Sequence, residues 1–202
     1  MVFLIHTELR FTVNHTSDLR HNCVYWAPEN LYVHVGKAVN LLGVNVWCGL
    51  SARSLIGPYL FEGTVTGEAC LEMLRSSTLP AIRALYEISE IFYQQDGAPP
   101  HCHRHVRAFL GENLRGHWIG RRGTFEFPPL SPDLTPLDSY VWGTLKDIVY
   151  RKKPATPGDL RAEIRAACAA FPINTLTEFA QSTARRCNGC LAANGNHFEH
   201  LH

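Results

Sequence analysis

Two aspartates stand where the chain changes direction. Asp96 closes the run Ile91-Phe92-Tyr93-Gln94-Gln95 and is followed at once by Gly97-Ala98-Pro99-Pro100, so it sits at the C-terminal end of a short strand. Asp138 falls in the first turn of a helix opened by Thr135-Pro136. Forty-one residues separate the two, but strand ends and helix starts are where a fold can bring such groups together. Each aspartate also has a plainer use. Asp before Gly bonds the next backbone amides in a turn, and an acid at the third helical position completes a cap and complements the helix dipole.

A second group of residues could do different chemistry. His101, Cys102, His103 and His105, with Cys187 and Cys190 far along the chain, are the softer ligands that suit Zn²⁺. Against this reading, His103 and His105 would diverge on a helix, and Cys187 and Cys190 fit an ordinary buried helical face.

Positive charge is unevenly placed. Residues 1–100 carry six basic and nine acidic groups, and residues 101–202 carry thirteen and nine, so a net charge of +1 hides a basic second half. The clusters Arg104 with Arg107, Arg121-Arg122, Arg151-Lys152-Lys153 and Arg185-Arg186 could neutralise phosphates or simply form solvated faces.

The elements that must position these groups can be read from periodicity. From Val2 to Phe11 residues alternate, with Phe3, Ile5, Thr7, Leu9 and Phe11 on one face and Leu4, His6, Glu8 and Arg10 on the other. A hairpin-like excursion is expected at 19–36, then strands at Val44–Cys48 and Tyr59–Phe61 separated by a polar stretch with Gly57-Pro58. A helix starts at Gly67 and Pro80 restarts a second one. The strand ending at Asp96 is followed by a helix bearing Val106, Phe109 and Leu110, and Phe125–Phe127 reads as a last strand. Three helices follow over 136–195, opened by Thr135-Pro136, by Thr156-Pro157-Gly158-Asp159 and by Thr175 to Glu178. Strands, then strand–helix–strand, then helices describe a mixed α/β or α+β domain. Trp26, Trp47, Trp118 and Trp142 are better suited to core packing than to stacking on bases.

At 202 residues and 46% hydrophobic composition the chain can bury a core as one domain over 1–202. The apolar start Met1 to Ile5 is too short for a span or a signal segment. Seven scattered cysteines do not form a disulfide framework and suggest a reducing, intracellular setting.

The segments Gln94-Gln95-Asp96-Gly97-Ala98-Pro99-Pro100-His101 and Ser131-Pro132-Asp133-Leu134-Thr135-Pro136-Leu137-Asp138, the latter followed by Trp142-Gly143, resemble the second and third acidic motifs of mariner-type transposases. In that pattern the third acid follows the second proline, which selects Asp138 over Asp133. The spacing is similar to that of a long-spaced lineage whose third acid is Asp. Tyr25 to Asn30, Val44 to Leu50 with Gly57-Pro58, and Asn194 to Leu201 agree in order, so the resemblance covers nearly the whole chain. It implies a ribonuclease-H-like α/β fold, a mixed five-stranded sheet flanked by helices, with carboxylates holding two Mg²⁺ or Mn²⁺ ions. It implies DNA cleavage and strand transfer on transposon ends or target DNA, a nuclear location and a possible homodimer. Asp96 and Asp138 would be catalytic metal ligands, and Arg104, Arg107, Arg121, Arg122, Arg151, Lys152 and Lys153 would contact DNA.

The first acidic motif departs from the family. The stretch His6-Thr7-Glu8-Leu9-Arg10-Phe11 matches it, and Thr7 occupies the aspartate position. A neutral hydroxyl is a weak ligand for Mg²⁺, and Glu8 lies on the opposite strand face, where serving instead would need a slip or bulge. The family's paired helix-turn-helix region precedes this strand, at which the chain begins. The expectation is a truncated, decayed or co-opted transposase domain with impaired strand cleavage. The alternative is a catalytically dead DNA-binding or protein-interaction module.

Overall fold

The computed structural model describes residues 2–13, 42–51, 53–127, 141–172 and 184–193, with side chains from Glu8 onward in the first strand. The hairpin-like segment at 19–36, Trp26, Asp138 and the start expected for a helix at Thr175 lie outside the described residues.

Among the described residues the sheet has five strands in the order β3-β2-β1-β4-β5. They are β1 (Val2–Thr12), β2 (Gly43–Leu50), β3 (Leu55–Phe61), β4 (Ile91–Gln95) and β5 (Trp118–Ile119). β1 is central, antiparallel to β2 and parallel to β4; β2 and β3 are antiparallel, and β4 and β5 parallel. The parallel step from β1 to β4 matters most, because its register places His6 opposite Gln95 and brings the end of β4 beside the middle of β1.

Alternation along the strands splits the core into two layers. Val44, Val46, Cys48 and Leu50 of β2 and Phe11 of β1 face α4 (Trp142–Arg151) and α5 (Pro157–Ala169). Trp47, Ile56, Phe61, Ile91, Tyr93 and Trp118 face α1 (Gly67–Met73), α2 (Leu79–Leu85) and α3 (Arg104–Leu114). As expected, Trp47, Trp118 and Trp142 are buried core residues. α4 is docked on β1 by Trp142 and Tyr150 against Phe11, at centroid distances of 6.3 and 6.0 Å, and by the Thr12 amide, which donates to the Tyr150 hydroxyl at 3.0 Å.

α5 begins where its sequence says it should. The Thr156 hydroxyl accepts from the Asp159 amide, the Asp159 carboxylate accepts from the Thr156 amide, both at 3.1 Å, and Pro157 occupies the first turn. Leu160, Ile164, Cys168 and Phe171 form the buried stripe. Thr156→Ala removes half of this box and is expected to lower stability by about 1 kcal/mol, read from the urea midpoint at constant m-value.

Three expectations are corrected. Gly57-Pro58 lies inside β3 rather than between strands, with a cis peptide. Pro80 does stand in the first turn of a second helix, but that helix is not a separate start: α1 passes through a π-helical turn at Leu74–Thr78 into α2, and the Leu79 amide donates to the Leu74 carbonyl five residues back. The widened turn gives the proline ring room and costs no hydrogen bond that Pro80 could have made. Finally, the fifth strand is Trp118–Ile119, and Phe125 only bridges Ile119. A two-residue strand has no period to read.

Candidate active site

The site forms where β4 ends. Asp96 is the first residue beyond the strand, and the Gly97-Ala98-Pro99-Pro100 turn folds back tightly enough to bring His101 over it. The Ala98 amide donates to Asp96 Oδ1 at 3.0 Å, so the turn-forming use of this aspartate is realised. Buried Gln95 donates from Nε2 to the His101 carbonyl at 3.1 Å, and the Cys102 amide donates to the Ala98 carbonyl, also at 3.1 Å, which locks the turn.

His101 is 1% exposed and joins two carboxylates. Its Nδ1 donates to Asp96 Oδ1 at 2.5 Å and its Nε2 to Glu8 Oε1 at 3.1 Å. Burial pulls the imidazole toward neutrality, but the bonds to Asp96 and Glu8 and their negative charge outweigh it, and its pKa is pushed up to about 9. The ring is therefore a cation at neutral pH, shared between the two acids. Cys70 of α1, fully buried, lies against the same cluster, and burial followed by the charges of Glu8 and Asp96 pushes its thiol well above the usual range.

Glu8 lies on the strand face that alternation assigns it, and no slip or bulge turns it toward the face of position 7. The β1–β2 register runs unbroken from Ile5 opposite Leu50 to Thr12 opposite Gly43; the irregularity lies between β2 and β3, at Trp47 and Gly49. Leu9 and Phe11 belong to the α4/α5 layer, and Glu8 faces the α1/α3 layer, as alternation dictates. The imidazole spans the gap between Glu8 and Asp96 that strand geometry leaves. Thr7 pairs with Cys48 in the same ladder.

The histidine-rich stretch does not gather into the zinc set that the sequence offers as an alternative. His101 turns inward, whereas His103 and His105 lie on the outside with Glu68, His103 Nε2 being 3.5 Å from Glu68 Oε1. Their rings are 5.0 Å apart rather than widely separated, because His103 precedes the helix with an extended backbone (φ −60°, ψ 140°). Cys102 donates to the Gly97 carbonyl at 3.5 Å, and Cys187 and Cys190 lie on a helical segment at 184–192.

Of the basic residues, Arg121 packs over the aspartate turn, 3.7 Å from the position a Cβ on Gly97 would take. Arg107 donates from Nε to the Cys102 carbonyl at 3.1 Å, and Arg104 is exposed at the start of α3. Arg122, Arg151, Lys152 and Lys153 are exposed, the last three at the end of α4 in the other layer. The structure thus brings Arg107 and Arg121 to the turn after Asp96, leaves Arg104 on the outside of α3, where its Nε donates to His105 Nε2 at 3.1 Å, and leaves Arg151 to Lys153 on another element.

The sheet order, the aspartate at the end of β4 beside a central β1, and helices on both faces can be set against known structures. Over 98% of its length the chain superposes on the Mos1 transposase catalytic domain solved with raltegravir and Mg, with a TM-score of 0.71, 17% identity and 85% of that chain covered. The fold is that of a mariner-type transposase catalytic domain. That domain is ribonuclease-H-like, and so is this one. A Mos1 transposase paired-end complex with the left transposon end matches with a TM-score of 0.70 and 18% identity, again over 98% of this chain and 56% of that one. By sequence, the chain is 28% identical over 105 residues to the Tc1 transposase of Caenorhabditis elegans. That match spans 51% of this chain and 35% of the Tc1 transposase, about a third of the relative's length. No family model matches the chain.

Sequence reasoning missed His101 as the partner of Asp96, Glu8 as its second acid and Cys70 altogether. For His101 a signal was present: the six residues from Asp96 to His101 contain Gly97, Pro99 and Pro100, which favour a reversal that returns the last to the first. Cys70 had none, since its role depends on how α1 packs.

Proposed function

We propose that the chain is a transposase-derived catalytic-type domain that engages DNA in the nucleus and has little or no strand-cleavage activity of its own. The observation that carries this reading is Asp96, held at the end of β4 by His101 and the Ala98 amide beside a central strand that carries Thr7 at the position where the family resemblance expects the first acid. The docking of α4 on Phe11 supports the second half of the site, because Asp138 precedes that helix by four residues and β1 carries position 7.

A pair of divalent cations would supply the activated oxygen nucleophile and stabilise the leaving oxygen. The described residues do not fit a two-cation carboxylate site. Asp96 is the one expected acid among them, its Oδ1 already accepts from His101 and Ala98, and position 7 offers a neutral group. Glu8 does not make up the deficit, since its carboxylate is bonded to His101 in the α1/α3 layer. What these residues do is hold Asp96 in place and neutralise it. Arg107 and Arg121 at the turn and Arg104 at the start of α3 are suited to DNA phosphates, and Arg122, Arg151, Lys152 and Lys153 extend that set; transposon ends or target DNA are the partners such a domain would take, as a homodimer.

The test uses supercoiled plasmid with Mg²⁺ or Mn²⁺ and the wild-type chain. Nicking no faster than that of the Asp96→Asn variant is expected, together with DNA binding that weakens as salt rises. Efficient nicking abolished in Asp96→Asn would overturn the impaired reading. DNA binding absent at low salt would favour a protein-interaction module.

A further inference from the structure

We propose that Glu8, Cys70 and His101 form a binding site for a soft divalent transition-metal cation, Zn²⁺ being the ordinary occupant, with Asp96 orienting the histidine ligand. The proposal does not depend on the strand-cleavage reading, although Asp96 serves both, because it turns on Cys70, which plays no part in that reading.

The three ligands come from three elements that the fold brings to one point: β1, α1 and the turn before α3. Their ligand atoms all lie within 4.8 Å of one another. Zinc bonds of about 2.0–2.1 Å to nitrogen and about 2.3 Å to sulfur put neighbouring tetrahedral ligands roughly 3.3–3.8 Å apart. The 3.1 Å between His101 Nε2 and Glu8 Oε1 already falls close to that separation. The thiol has to close by at most about 1.5 Å, a rotamer adjustment.

Ligand chemistry selects the cation. One thiolate, one imidazole and one carboxylate are the mixture that Zn²⁺ accepts, whereas Mg²⁺ demands an octahedron of oxygens. Charge selects it as well. Zn²⁺ with one thiolate and one carboxylate sums to zero, which suits ligands as buried as Cys70 and His101, at 0% and 1% exposure. On binding, the thiol proton and the Nε2 proton of His101 leave to solvent. The remaining coordination position is left for water on the side where Glu8 and Asp96 reach solvent, with side chains 16% and 36% exposed.

The outer shell is in place too. His101 Nδ1 donates to Asp96, and a carboxylate on one ring nitrogen fixes the tautomer and aims the other nitrogen at the metal. Glu68, His103 and His105 form a second candidate group, but Glu68 is 73% exposed and nothing orients its ligands in this way.

The experiment titrates the chelator-stripped full chain with Co²⁺. One equivalent is expected to bind with a thiolate-to-cobalt charge-transfer band in the near ultraviolet, and Zn²⁺, not excess Mg²⁺, is expected to displace it. Cys70→Ser is expected to abolish the band. Asp96→Asn is expected to keep it while weakening affinity about 10–100-fold, the usual cost of losing an outer-shell partner. No band in the wild type, a band unchanged in Cys70→Ser, or displacement by Mg²⁺ overturns the proposal. Should Cys70→Ser fail to fold, zinc-edge X-ray absorption of the wild type decides: one sulfur among the scatterers supports the site, and a sulfur-free shell overturns it. The nicking assay reads none of these outcomes, so the two proposals stand or fall separately.

Discussion

His101→Ala is expected to destabilise the chain by about 2–3 kcal/mol, measured by urea unfolding in the presence of chelator. Truncating one member of a buried ion pair costs about 3–5 kcal/mol, because the partner is left desolvated and unpaired. Here two carboxylates lose their shared cation, but Asp96 is 36% exposed and Glu8 16%, so water screens part of the loss and the expected figure falls below that range. The same bridge sets a pH dependence. The imidazole pKa stands at about 9 in the folded chain, above its ordinary 6.5. A raised pKa stabilises the state that holds the proton, so the contribution is complete below pH 6.5 and is lost as pH rises through about 9. The shift corresponds to about 3 kcal/mol. His101→Gln can donate one of the two bonds but carries no proton to lose. Its stability relative to wild type should therefore improve across that window, and a difference that stays flat would show that the bridge is not cationic.

Thr7→Asp is expected to raise Mg²⁺ or Mn²⁺ affinity by about ten- to a hundredfold in calorimetry. A carboxylate about 4 Å from a divalent cation gains several kcal/mol even at an effective dielectric constant of about 20, and desolvation cancels most but not all of it. Without metal the variant should be less stable than wild type, since aspartate is a poor strand residue and adds negative charge near Asp96. Divalent cations should then restore the loss by mass action in the variant and leave the wild type unmoved. Tight Mg²⁺ binding by the wild type would refute the view that Thr7 disables the site.

Much of this arrangement can be read in the chain itself, and the exceptions have physical causes. Alternation in β1 assigned Leu9, Phe11 and Glu8 to their correct layers, since a period of two leaves no freedom in a paired strand. The strand end at Asp96 and the capping box at Thr156 were legible because turn and cap chemistry is local. The π turn that joins α1 to α2 had no signal, because it depends on what the helix packs against. β5 was misplaced because sheet edges are set by pairing with β4, not by their own residues. The Glu8–His101–Asp96 bridge was hidden for a third reason: it joins residues ninety-three apart, and only the parallel register of β1 with β4 makes them neighbours. Asp138 and the 19–36 segment lie outside the described residues, so their readings rest on sequence.

The π turn at Leu74–Thr78 also bears on how chain length can vary. Cys70, Met73 and Leu74 before it and Leu79 and Ile82 after it face one core, although an uninterrupted α-helix of this length would carry the later pair off that face. The turn absorbs one surplus residue. Removing any single residue from 75 to 77 would let the hydrogen bonds close four apart and leave the same apolar side chains facing the sheet. This helix is therefore a place where a one-residue deletion leaves the interior unchanged, whereas an equal deletion in β1 would turn its interior outward.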